Sequence, residues 1–460
     1  MKPFLTFLLA TFAWQLPAQD FNPSLLDSFM QAKTAIHHFN GNVLIAREGK
    51  VLYKKSFGYS DLATKKPLDE QTMFELGSIS KQFTAMGILL LQQDKKLSLQ
   101  DTLRKFFPEL PYSNITLQHL LTHTSGLPPY EPLMEAKWDH SKIAFNLDLI
   151  RLLAAEKPAV LFQPGKRYRY SNTGYVLLAS IIEKVTGKPF AEFMQEKIFS
   201  PLQMTRTRIY NTRRSGETIP NYAYGYQWSD SLKRYLLPDS IPEASFVYYM
   251  DGLQGDGVVN STTGDLLKWD RALKQDKLLK PELQQQMLSP QAIIDSIQNM
   301  YYGYGLRIDS SRFGHRYHHG GSWPGYFNYY THYIPSDVTI IVLSNNGYYS
   351  EGLSQQLMSL VNEEAVAFPY IPKEVKLDPA LLDRYVGSYL NQGRMRINVF
   401  RKGDQLYVKR NKDILLRPES DRLFFLDIRD DQKLEFAFDE NGKVAKAWFE
   451  WQGQRFELRK

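Results

Sequence analysis

The chain of 460 residues contains no cysteine. This absence excludes disulfide bonds, thiol catalysis, zinc sites built on cysteine and lipid attachment at a cysteine. Without disulfides the fold must be stabilised by packing, which a chain of this length with 43% hydrophobic residues can supply. The length also predicts two or three structural units rather than one small core.

Long apolar runs are rare as well. The run FLTFLLATFAWQL follows Lys2 and precedes a small residue, Ala18, which is the pattern of a secretory signal peptide over residues 1–18. We therefore expect a secreted or periplasmic protein, with an uncleaved N-terminal anchor as the alternative. No later stretch approaches twenty uninterrupted apolar residues, so we expect no transmembrane helix in the mature chain.

Concentrated charge and cofactor motifs are missing too. The net charge is +7, but lysine and arginine are spread among acidic residues without a basic block, so we expect no nucleic-acid partner. There is no His-Glu-x-x-His pattern and no Gly-rich phosphate loop between a strand and a helix. We accordingly predict no metal site and no cofactor.

The pattern along the chain predicts an α/β (α+β) fold. Residues 41–60 alternate around a turn as a β-hairpin does, helical stretches dominate from about 78 to 200, and strand-like runs return at 326–334 and 338–344. This order predicts one sheet with an inserted helical lobe over residues 19–365. A proline-rich linker at 366–378 precedes short alternating runs over 379–460, which predict a small antiparallel meander or barrel.

Ser78 and Lys81 form the first candidate catalytic pair. They stand three residues apart in FELGSISKQF, where an apolar helical stretch begins, so they share one helix face. A serine hydroxyl becomes a good nucleophile when a base takes its proton, and the unpaired N–H groups of a helix start favour the negative charge that then develops. The pair is equally compatible with a polar start to a buried helix.

Two further segments carry candidate site residues. In RYSNTGY, Tyr170 could shuttle protons beside a lysine and Asn172 could hold an amide carbonyl, although Tyr-x-Asn also occurs at 112–114 and 389–391. In YHHGGSW, we expect His319, Gly321 and Ser322 to open a strand whose glycines let a substrate lie against its edge. A glycine-rich turn with solvated histidines is the alternative for this segment.

The three segments in this order, SISK at 78–81, YSN at 170–172 and HGG at 319–321, resemble the serine β-lactamase and penicillin-binding protein superfamily. The resemblance is to its class C β-lactamase and D-alanyl-D-alanine carboxypeptidase (S12 peptidase-like) branch. It covers about residues 20–365 and implies an antiparallel sheet flanked by helices, with the active site in the cleft below a helical lobe. Residues 379–460 resemble the lipocalin-like β domains that some members append.

The resemblance also implies the role of each site residue. Ser78 would be the acylated nucleophile, Lys81 its proton acceptor, Tyr170 the general acid and base, and Asn172 the ligand of the acyl amide. The backbone N–H groups of Ser78 and Ser322 would form the oxyanion hole, and Gly321 would let a substrate lie close to the strand. His319 would occupy the position of a lysine that attracts the substrate carboxylate in many members.

We therefore predict an exported serine hydrolase acting through a Ser78 acyl-enzyme on a peptide, amide, β-lactam or ester carbonyl. A neutral imidazole at His319 attracts a carboxylate less than an ammonium does, which favours D-peptidase, amidase or esterase work over efficient β-lactam hydrolysis. The expected partner is a small molecule or peptide of cell-wall chemistry. The alternative is a penicillin-binding or cell-wall peptide sensor without turnover, and the sequence leaves the oligomeric state open.

Overall fold

The computed structural model describes residues 22–211, 218–229, 231–347, 350–391, 395–410, 412–427, 432–451 and 454–460. The predicted signal peptide over residues 1–18 lies outside the described residues. The helices of the described part are α1 (Pro23–Ala35), α2 (Lys81–Gln93), α3 (Leu103–Phe106), α4 (Leu117–Leu121), α5 (Tyr130–Lys137), α6 (Asn146–Glu156), α7 (Asn172–Thr186), α8 (Phe190–Met194), α9 (Phe246–Tyr249), α10 (Thr263–Lys274), α11 (Pro281–Met287) and α12 (Ser350–Val361).

The strands of the described residues before the C-terminal barrel are mostly short outside the main sheet. They are β1 (Gly41–Arg47), β2 (Lys50–Phe57), β3 (Tyr59–Asp61), β4 (Lys66–Pro67), β5 (Phe74–Glu75), β6 (Arg208–Ile209), β7 (Gln227–Ser229), β8 (Arg234–Leu236), β9 (Val259–Ser261), β10 (Ala292–Asp295), β11 (Met300–Tyr302), β12 (Arg307–Ser311), β13 (Gly314–Trp323), β14 (Tyr326–Tyr333) and β15 (Val338–Ser344). A 3₁₀ turn, Gly77–Ser80, directly precedes α2.

The main sheet has eight strands in the order β10-β11-β12-β13-β14-β15-β1-β2, and every pairing in it is antiparallel. The β1–β2 hairpin confirms the hairpin predicted from the alternating residues. Strand β1 is buried on both faces, because Val43 and Ile45 face α1 and α12 while Leu44 and Ala46 face the helical lobe. The sheet is therefore the middle layer of three.

The helical lobe packs around α2 and α7, whose side chains are buried almost throughout. The helix α7 has standard end signals: the Ser171 hydroxyl accepts the Gly174 N–H, and Gly187 follows in a left-handed conformation with φ 69°. These signals fix where α7 begins and ends, and its first residue, Asn172, lines the cleft. None of the helices among the described residues is long and apolar enough to span a membrane.

The C-terminal residues form a closed antiparallel barrel of eight strands, which confirms the barrel alternative of the sequence prediction. Its strands are β16 (Gly387–Asn391), β17 (Met395–Lys402), β18 (Gln405–Lys409), β19 (Asp413–Pro418), β20 (Leu423–Asp427), β21 (Gln432–Phe438), β22 (Val444–Trp451) and β23 (Gln454–Arg459). Large side chains fill the interior, among them Tyr385, Tyr389, Phe424 and Phe436, whose rings meet edge to face. The barrel is thus a packed core.

Candidate active site

The predicted nucleophile lies on the 3₁₀ turn rather than on the helix itself. Ser78 is the second residue of this turn, and Lys81 is the first residue of α2. The Lys81 ammonium nitrogen, Nζ, lies 2.9 Å from Ser78 Oγ, within hydrogen-bond reach. The turn begins at Gly77, whose φ of 56° belongs to the left-handed region that glycine adopts freely. This arrangement brings the predicted nucleophile and base together.

Lys81 is completely buried, so its amine needs acceptors inside the protein. Besides Ser78 Oγ, Nζ contacts the carbonyl oxygen of Asp256 at 2.7 Å. Nζ also lies 4.9 Å from the ring centre of Tyr170 and 5.6 Å from that of Tyr175. The amine is therefore enclosed by the nucleophile, one carbonyl and two aromatic rings.

Tyr170 lies next to Lys81, just before α7. Its hydroxyl is buried and has no hydrogen-bond partner among the described residues, which leaves it available to a substrate. His123 holds it in place: the two ring centres are 4.2 Å apart, and the Ser171 N–H donates to His123 Nδ1 at 3.0 Å. Burial lowers the pKa of His123 well below its usual value, and the charge of Lys81 acts in the same direction. The imidazole therefore stays neutral and keeps Nδ1 as an acceptor.

Asn172 is the first residue of α7, and its amide is oriented by a residue that the sequence reading missed. Its Nδ2 donates to Glu131 Oε1 at 2.6 Å, while its Oδ1 is buried without a partner among the described residues. Burial raises the pKa of Glu131, although the bond from Asn172 opposes this. Asn172 makes no hydrogen bond to Lys81 in the described part of the chain. Because Asn172 lines the cleft, its unpartnered amide oxygen is an acceptor for a bound substrate.

Strand β13 packs directly against the 3₁₀ turn Gly77–Ser80, which we call the nucleophile turn after the predicted role of Ser78. A methyl group on Gly321 would lie 1.8 Å from the Leu76 carbonyl oxygen, and one on Gly77 would lie 2.8 Å from the Ser322 nitrogen. Only glycine at both positions lets the two main chains approach this closely. The approach brings the Ser322 main chain beside Ser78, as a two-donor oxyanion hole requires.

His319 has no ring nitrogen left for a substrate. Nδ1 is 2.6 Å from the carbonyl of Gly320, which can only accept, so Nδ1 carries the hydrogen and Nε2 accepts the hydroxyl of Tyr302 at 3.0 Å. Burial lowers the pKa of His319 well below its usual value, and the charges of Arg307 and Lys81 add to this. The imidazole is therefore a neutral structural group at the wall of the cleft.

The structure also corrects the position of this segment in its strand. Residues 319–322 lie in the second half of the ten-residue strand β13 and do not open it. Residues 316–319 are all buried, so buried and exposed positions do not alternate there. The sequence therefore gives no sign of where the strand starts.

An arginine missed by the sequence reading supplies the cation near His319. Arg307 begins β12 and lines a cavity of about 260 Å³ together with Ser78, Tyr170 and His319. Its Nε is buried without a hydrogen-bond partner among the described residues. A lone arginine at a strand start matches no motif, so only the strand register places it in the cleft.

On the other side of Ser78 lies a smaller, acidic cavity of about 60 Å³. Asp256 and Tyr130 line it, and the Tyr130 hydroxyl donates to Asp256 Oδ2 at 3.0 Å. Burial raises the pKa of Asp256, while the nearby charge of Lys81 opposes the rise. Ser78 and Ser322 line both cavities, so a bound chain would cross the nucleophile from one cavity to the other.

A larger cavity of about 820 Å³ lies between β12, β13, α12, residues 365–370 and the barrel, and none of the predicted site residues lines it. Its arginines are paired with acids, for example Arg312 with Glu364 and Arg455 with Glu450. Within the described ranges, no three His, Asp or Glu side chains are grouped as metal ligands. The chemistry of the described region is thus concentrated around Ser78.

Comparison with protein families gives two matches along the chain. Residues 26–358 match the family model described as Beta-lactamase, and residues 372–460 match one described as a domain of unknown function, DUF3471. The first match contains all of the predicted site residues, and the second contains the barrel.

Individual relatives extend this comparison. "Penicillin-binding protein 4*" of Bacillus subtilis (strain 168) is 40% identical over 400 residues, which covers 85% of this chain and 88% of the relative. Among solved structures, the octameric penicillin-binding protein homologue from Pyrococcus abyssi has a TM-score of 0.67 at 25% identity, covering 95% of this chain and 99% of its own. The D-amino acid amidase from Ochrobactrum anthropi SV3 has a TM-score of 0.60 at 25% identity, covering 73% and 99%.

Proposed function

The chain belongs to the β-lactamase family of serine hydrolases, and we propose that it opens amide bonds in short D-amino-acid peptides or amides through an acyl-enzyme on Ser78. The observation that carries this proposal is the 2.9 Å contact between Lys81 Nζ and Ser78 Oγ, with the lysine fully buried. A buried amine in contact with a serine hydroxyl can take its proton during attack on a carbonyl.

In the acylation step, the neutral form of Lys81 accepts the Ser78 hydroxyl proton while Oγ forms a bond to the substrate carbonyl carbon. The electron pair of the carbonyl double bond moves to its oxygen, where the N–H groups of Ser78 and Ser322 stabilise the charge. The tetrahedral intermediate then collapses, the bond from carbon to the leaving nitrogen breaks, and the unpartnered Tyr170 hydroxyl donates a proton to that nitrogen.

Deacylation repeats these steps with water in place of Ser78. The water gives a proton to Tyr170 as its oxygen attacks the ester carbon, and the ester bond to Ser78 breaks. Ser78 Oγ regains a proton from Lys81, which returns the site to its starting state. Tyr170 and Lys81 each end deacylation with the protons that they had before acylation, so no further group is needed to balance the reaction.

The charges on the two sides of Ser78 support short peptides or amides as the substrate class. Asp256 lines the small cavity and Glu131 binds Asn172 there, so both favour a positively charged amine. The larger cavity is lined by Arg307 and Glu351, and Arg307 Nε, which has no partner among the described residues, can donate to a carboxylate there. The D-amino acid amidase named above has the same fold, which supports the D-configuration. An uncharged ester is a second candidate substrate, since the same acyl-enzyme would form.

We also propose that the protein is exported, as the sequence of residues 1–18 predicts. Expression of the full chain in a bacterial host, followed by N-terminal sequencing of the secreted or periplasmic product, tests this. A mature product starting at Gln19 supports export, and an intact Met1 in the cytoplasm contradicts it.

The function is tested by a parallel turnover screen. The substrates are D-alanine p-nitroanilide, a D-alanyl dipeptide, nitrocefin and p-nitrophenyl butyrate, and the proteins are wild type, Ser78→Ala and the exposed control Ser98→Ala. We expect turnover of the D-alanine substrates and a burst of p-nitrophenol in wild type and Ser98→Ala, with both abolished in Ser78→Ala. An undiminished burst in Ser78→Ala would show that the nucleophile is another residue.

The screen also separates an enzyme from the sensor alternative. Saturable binding of a D-alanyl peptide without turnover of any substrate would favour a sensor. Turnover that falls when Tyr170 is replaced by phenylalanine would exclude it, because a sensor has no use for a proton donor to a leaving group.

A further inference from the structure

A short main-chain segment, residues 255–259, runs beside the nucleophile turn and the start of α2, and three side chains of the turn and the helix bind it. The three bonds join Thr84 Oγ1 to the Gly255 carbonyl at 2.6 Å, Lys81 Nζ to the Asp256 carbonyl at 2.7 Å, and the Val259 N–H to Ser80 Oγ at 3.1 Å. The middle bond involves the base, so the position of this segment sets the direction in which the Lys81 amine points.

The backbone of this segment is held in an unusual conformation. Val258 has a φ of 67°, in the left-handed region that a β-branched residue almost never adopts, and Gly255 has a φ of 111°. Such a conformation persists only where the surroundings impose it. The three bonds to Ser80, Lys81 and Thr84 are part of those surroundings.

The side chain of Asp256 is bound by a different element. It is 9% exposed, and its Oδ2 accepts the hydroxyl of Tyr130, the first residue of α5, at 3.0 Å. Tyr130 is 3% exposed, and burial raises its pKa well above the usual value, so the phenol keeps its proton and donates. Asp256 is thus fixed between α5 by its carboxyl group and Lys81 by its carbonyl group.

We propose that Tyr130 is a positioning residue for acylation: its bond to the Asp256 carboxyl fixes the carbonyl that orients the Lys81 amine toward Ser78. This rests on the proposed function, because it takes Lys81 as the base. A neutral amine has two hydrogens and one lone pair, and only the lone pair can accept the Ser78 proton. A carbonyl 2.7 Å away that accepts one N–H restricts rotation of the amine and keeps the lone pair on the serine.

The test compares Tyr130→Phe with a matched control, Tyr112→Phe. Tyr112 is equally buried at 4% exposure and donates to the Pro158 carbonyl at 2.9 Å, away from the cleft. The dependence of the p-nitrophenyl butyrate burst on ester concentration gives the acylation rate constant and the dissociation constant of the noncovalent complex. We expect acylation by Tyr130→Phe to be about 10-fold slower with an unchanged dissociation constant, and Tyr112→Phe to stay within about twofold of wild type.

A second pair of variants separates positioning from loss of fold. Asp256→Asn retains an oxygen that can accept the Tyr130 hydroxyl and Asp256→Ala does not, so Asp256→Asn should acylate faster than Asp256→Ala, and Asp256→Ala should match Tyr130→Phe. Equal rates in Tyr130→Phe and Tyr112→Phe, or in Asp256→Ala and Asp256→Asn, would overturn the proposal. A wild-type protein without a Ser78-dependent burst would instead overturn the proposed function. Failure of the positioning role and failure of the proposed function therefore give different results.

Discussion

Arg307 stands opposite His318 across the β12–β13 ladder and lines the same cavity as His319. His319 is neutral and has both ring nitrogens engaged, by Tyr302 and by the Gly320 carbonyl. The positive charge on this side of Ser78 therefore comes from the neighbouring strand and not from residue 319. A carboxylate-bearing substrate would be held by Arg307.

Replacing Arg307 by glutamine should weaken binding of substrates that carry a free carboxylate. A hydrogen bond to a charged group contributes about 1.5–3 kcal/mol, so KM for a D-alanyl-D-alanine peptide should rise about 10- to 100-fold. KM for the same peptide with an amidated terminus should change by less than about threefold, since no ion pair is lost. Equal changes for both peptides would contradict this role, and the exposed Arg151→Gln serves as the control.

Adding one methyl group to Gly321 should strongly slow acylation of Ser78. The new carbon would lie 1.8 Å from the Leu76 carbonyl oxygen and would push β13 away from the nucleophile turn. We expect Gly321→Ala to lose at least about 100-fold in acylation rate and about 1–3 kcal/mol in the free energy of unfolding. Gly320→Ala is the matched control, because its new carbon would meet no atom closer than the Tyr329 ring, at an ordinary contact distance of 3.6 Å. Similar rates in the two variants would show that this close approach is dispensable.

His123→Phe should slow catalysis while leaving an aromatic ring against Tyr170. The substitution removes the acceptor of the Ser171 N–H, which is buried, and an unpaired buried N–H costs about 1–3 kcal/mol. The main chain between Tyr170 and Asn172 should shift to find another partner, and kcat should fall about 10-fold or more. His140→Phe, where an imidazole stacks 4.1 Å from Tyr249 near the surface, should leave kcat unchanged.

Stability should depend on pH through the buried histidines. Because the pKa of His319 is lowered in the folded state, only the unfolded chain takes up a proton there as pH falls below about 6.5, and stability is lost. Compared with His319→Asn, wild type should therefore lose up to about 1.4 kcal/mol of unfolding free energy per pH unit in this range, and nothing above about pH 7.5.

Urea unfolding of both proteins at pH 5, 6, 7 and 8 measures this difference. Asp256 and Glu131, whose pKa values are raised, oppose the trend in both proteins and cancel in the comparison. A wild-type minus His319→Asn difference that stays constant from pH 5 to 7 would contradict a neutral His319.

Local patterns in the sequence predicted the parts of the site that depend on local geometry. Ser78 and Lys81 come together because positions three apart share one side of a turn, and the barrel strands follow from alternation between turn signals. The family resemblance is confirmed by the match over residues 26–358.

The missed residues depend on tertiary contacts that no local pattern encodes. Arg307 enters the cleft through strand register, and Glu131 and Tyr130 through the packing of α5 against α7 and residue 256. The sequence made His319 a substrate-binding candidate with a neutral imidazole, but no local pattern indicates that Tyr302 occupies its second nitrogen, because that bond joins side chains on different strands.

The position of β1 in the main sheet has a consequence for folding. This first strand lies between β2 and the last strand of the sheet, β15, with Gly41 paired to Ser344. The helical lobe and the catalytic turn are therefore enclosed in one very long loop that β15 closes. Contacts between such distant residues slow folding, because the entropy of closing the loop is lost before the contacts form. A growing chain cannot complete this sheet until residue 344 has been synthesised, and until then β1 exposes an unpaired apolar edge to which chaperones or other chains can bind.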